Sequence, residues 1–176
     1  MEPVCLVMGA GAGIGGNVGK RFAKGGYHAV LCRRSDAQGL ERLVQEIEAV
    51  GGAASGFLLN AADANSIEER VAAVEKDIGP IEVVVFNLGA QIGDRALADT
   101  SYKAFEMGWR LATFALFRLA SAVLPHMEAR GHGTLIVTSA TAAVRGNAGQ
   151  HSHAAAMGGR RMLCQTLNAE FAPKGI

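Results

Sequence analysis

The run Met8-Gly9-Ala10-Gly11-Ala12-Gly13-Ile14-Gly15-Gly16 alternates glycine with small residues directly after a short apolar stretch, Val4 to Met8. The chemistry such a run can do is to hold a diphosphate. Glycine permits a tight turn, lets main chain approach the ligand, and lets the following helix pack close to the strand. The first N–H groups of that helix, at the positive end of its dipole, then face the anion. Two glycine spacings are present. Gly11-x-Gly13-x-x-Gly16 is one, and Gly9-x-x-x-Gly13-Ile14-Gly15 is the other. The second is selected because Gly9 is the first residue after the apolar run. A merely flexible glycine-rich turn is the alternative, and the strand before and helical pattern after it argue against that.

A second group with chemical meaning is Leu31-Cys32-Arg33-Arg34. In a dinucleotide fold the second strand ends beside the adenosine ribose, where a carboxylate accepts from a 2′-hydroxyl and an arginine accommodates a 2′-phosphate. No carboxylate occurs before Asp36, and two guanidinium groups suit a phosphate. Arg33 and Arg34 therefore point to NADP(H), with NAD(H) still possible. The alternative is a solvated pair of surface arginines.

The elements that would position these groups follow from periodicity. Val4 to Met8, His28 to Cys32, Gly56 to Leu59, Ile81 to Phe86 and Thr134 to Thr138 read as strands. Val18, Phe22 and Ala23 belong to a helix closed by Gly25-Gly26. Leu40, Leu43, Val44, Ile47 and Val50 define one face of a second helix, capped by Ser35 or Asp36 and stopped by Gly51-Gly52. Ser66-x-x-Glu69 has capping-box form ahead of Ile67, Val71, Val74 and Ile78. A long helix is predicted from about Ser101 to Ala129, ended or kinked by Pro125, and a final one within His151 to Phe171. Strands alternating with helices give an α/β class, a three-layer Rossmann fold: a doubly wound parallel sheet of about five strands with right-handed crossovers. Residues 1–176 read as one domain.

Composition agrees with a sheet buried on both faces: 49% of residues are hydrophobic and 19% charged. A net charge of +1 gives no reason to expect nucleic acid or an anionic membrane as partner. The most apolar helical stretch, Phe114 to Leu124, is interrupted by Arg118 and too short to cross a bilayer. Cys5, Cys32 and Cys164 stand far apart and read as buried thiols of a reducing, cytoplasmic compartment. The N-terminus lacks the basic and apolar regions of a signal peptide. Arg160-Arg161 and Lys20-Arg21 read as solvated helix faces, and Glu46, Glu48, Glu69 and Glu75 as surface charges.

The chain resembles the short-chain dehydrogenases/reductases. Gly9-x-x-x-Gly13-Ile14-Gly15 is similar to that family's T-G-x-x-x-G-I-G loop, with Met8 in place of threonine. Asn60-Ala61 falls where the family has its pair beside the adenine, and Asn87-Leu88-Gly89-Ala90 resembles its N-N-A-G segment. Leu124-Pro125-His126-Met127 and Gly133 to Val137 match its helix end and fifth strand. The resemblance implies hydride transfer between a nicotinamide and a carbonyl or alcohol carbon. It also implies Asn87 and Gly89 among the cofactor-binding residues, and a homo-oligomer formed through two C-terminal helices. Trp109, Phe105, Phe114 and Phe117 would be interface anchors, unless they pack on their own sheet.

The family's catalytic residues are a tyrosine, a lysine four residues later, a serine and an asparagine. Carried over from Pro173-Lys174-Gly175-Ile176, the tyrosine and lysine positions become His153 and Met157, and the serine position falls at or next to Ala140 (flanked by Ser139 and Thr141); carried over from Trp109-Arg110 and Pro125, the asparagine position becomes Ala112. No Y-x-x-x-K occurs, since the only tyrosines are Tyr27 and Tyr102. Ser139 or Thr141 could polarise a carbonyl and His153 act as general acid, although the helix N-terminus disfavours imidazolium; the alternative is that His151 and His153 are ordinary, partly exposed residues. His151 and His153, two apart on a helix, diverge too far for a metal pair, so no metal site is expected. The resemblance also leads one to expect further strands after Ile176, so that the nicotinamide half-site and substrate pocket are incomplete and the substrate-setting residues lie elsewhere. Impaired oxidoreductase chemistry is expected; the alternative is a non-catalytic dinucleotide-binding or interaction module.

Overall fold

The computed structural model describes residues 2–89 and 96–176. Five strands, β1 (Val4–Met8), β2 (His28–Arg33), β3 (Ala53–Leu58), β4 (Ile81–Phe86) and β5 (Thr134–Val137), form one sheet in the order β3-β2-β1-β4-β5. Every recorded pairing is parallel. This is the doubly wound Rossmann arrangement read from the alternation. Strand order reverses at β1, so the ligand crevice of such a sheet opens at the carboxyl ends of β1 and β4.

Among the described residues six α-helices accompany the sheet: α1 (Ile14–Lys24), α2 (Ala37–Glu48), α3 (Ser66–Asp77), α4 (Tyr102–Trp109), α5 (Ala115–Arg130) and α6 (His151–Phe171). Side-chain alternation along the strands assigns the faces. Val4, Leu6 and Met8 join Ile67, Val71 and Val74 of α3 and Leu116, Leu119 and Val123 of α5 in one core. Cys5 and Val7 join Leu40, Leu43 and Ile47 of α2 in the other. Fully burying each such aliphatic side chain contributes about 1.5–3 kcal/mol. Glu82, the charged residue of the β4 run, is skipped by a register shift: Val4 pairs with Ile81 and Cys5 with Val83.

Several local expectations are corrected. Val50 is 82% exposed because α2 has ended at Glu48. β3 starts at Ala53 rather than Gly56. Asn65, not Ser66, is the N-cap of α3, and the Ser66 hydroxyl instead donates to the carbonyls of Asn60 and Asp63. Pro125 does not end its helix; α5 runs on to Arg130, anchored on both sides of the proline by buried Leu124 and Met127. Phe114 to Leu124 belongs to a continuous helix of 29 residues, long and apolar enough to cross a membrane by length and composition. Its sheet-facing side chains are buried in the core, which is what the apolar residues serve. Between α4 and α5, residues Arg110–Phe114 form a π-helical turn.

Candidate functional site

The glycine loop leaves β1 with Gly9 in a left-handed conformation, φ +95°, which a side-chain-bearing residue adopts only under strain. A Cβ on Gly15 would run into the Gly9 carbonyl, so helix and strand can approach this closely only without one. Gly13 is the N-cap of α1 and Ile14, its first residue, is 62% exposed. The amides of Gly9 and Ala10 both donate to the Cys32 carbonyl, and Gly16 N–H to Gly11. The amides of Ala12, Gly13, Ile14 and Gly15 take no backbone acceptor among the described residues. Four donors at a helix start are thus left without a main-chain acceptor, a fit for a diphosphate.

The loop is tied to the rest of the edge by Asn87. Its amide donates to the Met8 carbonyl at 2.8 Å and its Nδ2 to the Gly9 carbonyl at 3.1 Å. Gly89 is exposed beyond it, and Ala90, named with this segment, lies outside the described residues. Asn60 spends its side chain locally, donating to Asp63 at 2.8 Å and accepting from Ala62 N–H at 3.3 Å. Ala61 is buried, and its carbonyl accepts from Arg118 at 2.9 Å.

At the end of β2, Arg33 and Arg34 diverge. Arg34 is exposed. Arg33 pairs with Asp36 at 3.1 Å, while the same carboxylate caps α2 by accepting from Gly39 N–H at 2.9 Å. A cavity of about 330 Å³ lies between the loop and α2, with Ala12, Asn17, Lys20, Arg33, Asp36 and Arg42 in its wall. Lys20 and Arg42 were not singled out as site residues; only the packing of α1 against α2 brings them beside Arg33. Lys20 is held there by Glu46 at 2.6 Å.

Ala112, Ala142, Ala156 and Met157 form one buried cluster, with Ala140 packed against it. The positions assigned to asparagine, serine and lysine are thus gathered into one place and filled with apolar groups. Ser139, next to Ala140 in sequence, is exposed, and His153 is half-buried. The His153 Nδ1 is buried without a hydrogen-bond partner among the described residues. Ser152, its neighbour, is spent on the carbonyls of Ala104 and Phe105.

Two charged residues read as solvated are not. Arg160 is 2% exposed. Glu75 is drawn in by Arg130, which forks onto it at 2.8 and 3.1 Å. The Cys5 and Cys32 thiols are pushed up to about 12 by burial.

A family model described as short chain dehydrogenase matches residues 3–176. The chain belongs to the short-chain dehydrogenase family. This is an NAD(P)-dependent oxidoreductase lineage. A short-chain reductase protein, NovJ of Streptomyces niveus, is 34% identical over 99% of this chain, which spans 66% of NovJ, just under two thirds of its length. A short-chain dehydrogenase structure from Rhodopseudomonas palustris superposes with a TM-score of 0.94 at 33% identity, covering 99% of this chain and 81% of its own. A gluconate 5-dehydrogenase from Burkholderia cenocepacia J2315, solved in complex with NADP and tartrate, superposes with a TM-score of 0.89 at 26% identity, over 99% and 68%. For this short-chain dehydrogenase, the loop donors and the Arg33 cavity are what would hold the adenosine-diphosphate half of a dinucleotide.

Proposed function

We propose that residues 1–176 form one dinucleotide-binding domain that takes NADP(H) in preference to NAD(H), as a soluble cytoplasmic protein. The observation that carries this reading is the set of amides from Ala12 to Gly15, without a main-chain acceptor among the described residues, beside a cavity lined by Arg33, Arg42 and Lys20. The dinucleotide supplies hydride chemistry when bound. A small carbonyl or alcohol is the substrate class. In the reducing direction His153 would give a proton to the carbonyl oxygen and Ser139 would donate a hydrogen bond to it, while the loop amides and Arg33 would hold the dinucleotide that supplies the hydride. Turnover is weak in this reading, because Met157 brings no charge and Ala140 no hydroxyl to the reacting end.

A second reading is a binding or interaction module that keeps the dinucleotide and not the reaction. The apolar filling of the Ala112, Ala140 and Met157 positions favours it. So does an outward aromatic stack: Trp109 and Phe114 lie 5.4 Å apart and 13° from parallel, with Phe117 6.5 Å beyond. That stack suits a homo-oligomer through the α4–α5 face and α6.

Calorimetric titration with NADPH and NADH tests the first claim: NADPH is expected to bind at least tenfold more tightly, and absence of heat with both refutes dinucleotide binding. Turnover of small carbonyls, abolished by His153→Ala while NADPH still binds, separates the reductase from the module; binding without turnover selects the module.

A further inference from the structure

Arg160 sits on α6 with its guanidinium inside the protein, and the partners the structure gives it are main-chain carbonyls. Nε donates to Ala112 at 3.0 Å, one Nη to Thr138 at 3.1 Å and the other to Leu88 at 2.7 Å. The carbon of the guanidinium lies 4.9 Å from the centre of the Phe86 ring. Phe86 is the last residue of β4, Leu88 is in the segment after it, Thr138 follows β5 directly, and Ala112 is in the π-helical turn. One side chain therefore joins three separate stretches of chain at the carboxyl edge of β4 and β5. The rigid fork of an arginine can do this; a single ammonium cannot reach three divergent carbonyls.

The location gives the contact meaning beyond packing. In a doubly wound sheet the dinucleotide lies across the switch point. With the adenosine end over the β1–β2 side, at Arg33, the opposite end lies over β4 and β5. Leu88 stands between Asn87, which ties the edge to the glycine loop, and exposed Gly89. Its carbonyl is the one Arg160 holds at the shortest distance. The residue one helical turn before Arg160 is Met157, so Arg160 is the positive group that α6 carries into this region.

We infer that Arg160 is a positioning residue for the nicotinamide end of the site, fixing the Asn87–Gly89 segment against β5 and the π-helical turn. This rests on the dinucleotide reading above, and its test keeps the two apart. Dissociation constants of NADPH and of adenosine 2′,5′-bisphosphate, which lacks the nicotinamide half, are measured for the wild type, Arg160→Met and Arg160→Lys. Both variants are expected to hold the bisphosphate within about twofold of wild type while losing about tenfold or more for NADPH, with Arg160→Lys losing less than Arg160→Met. A general loosening of the fold would weaken both ligands together, and that result overturns the assignment, as does unchanged NADPH binding. Should Arg160→Met fail to fold, the lysine variant alone decides by the same split. A wild type that binds neither ligand refutes the dinucleotide reading and this inference with it.

Discussion

The Asp36 carboxylate does two jobs three residues after Arg33: it pairs with the Arg33 guanidinium at 3.1 Å and caps α2 through Gly39 N–H at 2.9 Å. The first opposes a phosphate for the same arginine; the second stabilises the helix. Asp36→Asn keeps a capping oxygen and releases the guanidinium. It is expected to tighten NADPH several-fold, with NADH unchanged and thermal stability within about 0.5 kcal/mol. Arg33→Ala is expected to weaken NADPH by about tenfold or more, from the loss of a charge-assisted hydrogen bond of roughly 1.5–3 kcal/mol. Fluorescence titration with both coenzymes checks each.

The loop glycines separate by what surrounds them. Gly15→Ala forces a Cβ onto the Gly9 carbonyl, whereas a Cβ on Gly11 meets nothing within 4 Å. The first is expected to cost about 1–3 kcal/mol of stability and the second less than about 0.5. Urea denaturation of both variants gives the comparison, and equal stabilities contradict this packing.

Glu68 and Arg118 form a two-bond pair at 2.6 and 2.8 Å. The Arg118 hydrogen bond holds the Glu68 carboxyl below its ordinary value of 4.5, outweighing the opposing effect of burial. A carboxyl depressed in the folded state adds stability above its unfolded pKa and loses it as pH falls through the folded value. The wild type is therefore expected to lose this contribution below about pH 4.5. Glu68→Gln, less stable at neutral pH, should show a shallower decline there. Melting temperatures from pH 7 to pH 3 test the slope.

Phe117 is 51% exposed at the end of the aromatic stack. Phe117→Asp is expected to shift an oligomer to monomer in sedimentation velocity while leaving the circular dichroism spectrum unchanged. A wild type that sediments as a monomer at every concentration removes the interface role.

What could be read from the chain depended on whether the signal was local. β1, β2, β4 and β5 followed from contiguous apolar runs and nearby stop residues, and the last helix was bracketed within His151 to Phe171. The cap of α2 was narrowed to Ser35 or Asp36 by their place just before its apolar face, and the fold selects Asp36. β3 was hard to delimit because Ala53, Ala54 and Ser55 carry little apolar signal. The Ser66–Glu69 pattern misled because carbonyls from the preceding turn compete for the serine hydroxyl. Arg160 was illegible because its partners come from residues 88, 112 and 138, which only the folded edge brings together. The resemblance pointed to Ala112, Ala140 and Met157 as the asparagine, serine and lysine positions, and the fold adds that Ala112 and Met157 share one buried cluster with Ala140 packed against it.

The π-helical turn at Arg110–Phe114 has a consequence for the whole long helix. One extra residue within a turn offsets everything after it by about 100° relative to a regular helix. The two halves of Tyr102–Arg130 are therefore out of phase. The first lays Gly108 against Ser152 of α6, and the second lays Ala115, Leu116, Leu119 and Val123 onto the sheet. Deleting a single residue from this turn would remove that offset and force a choice between those two partners.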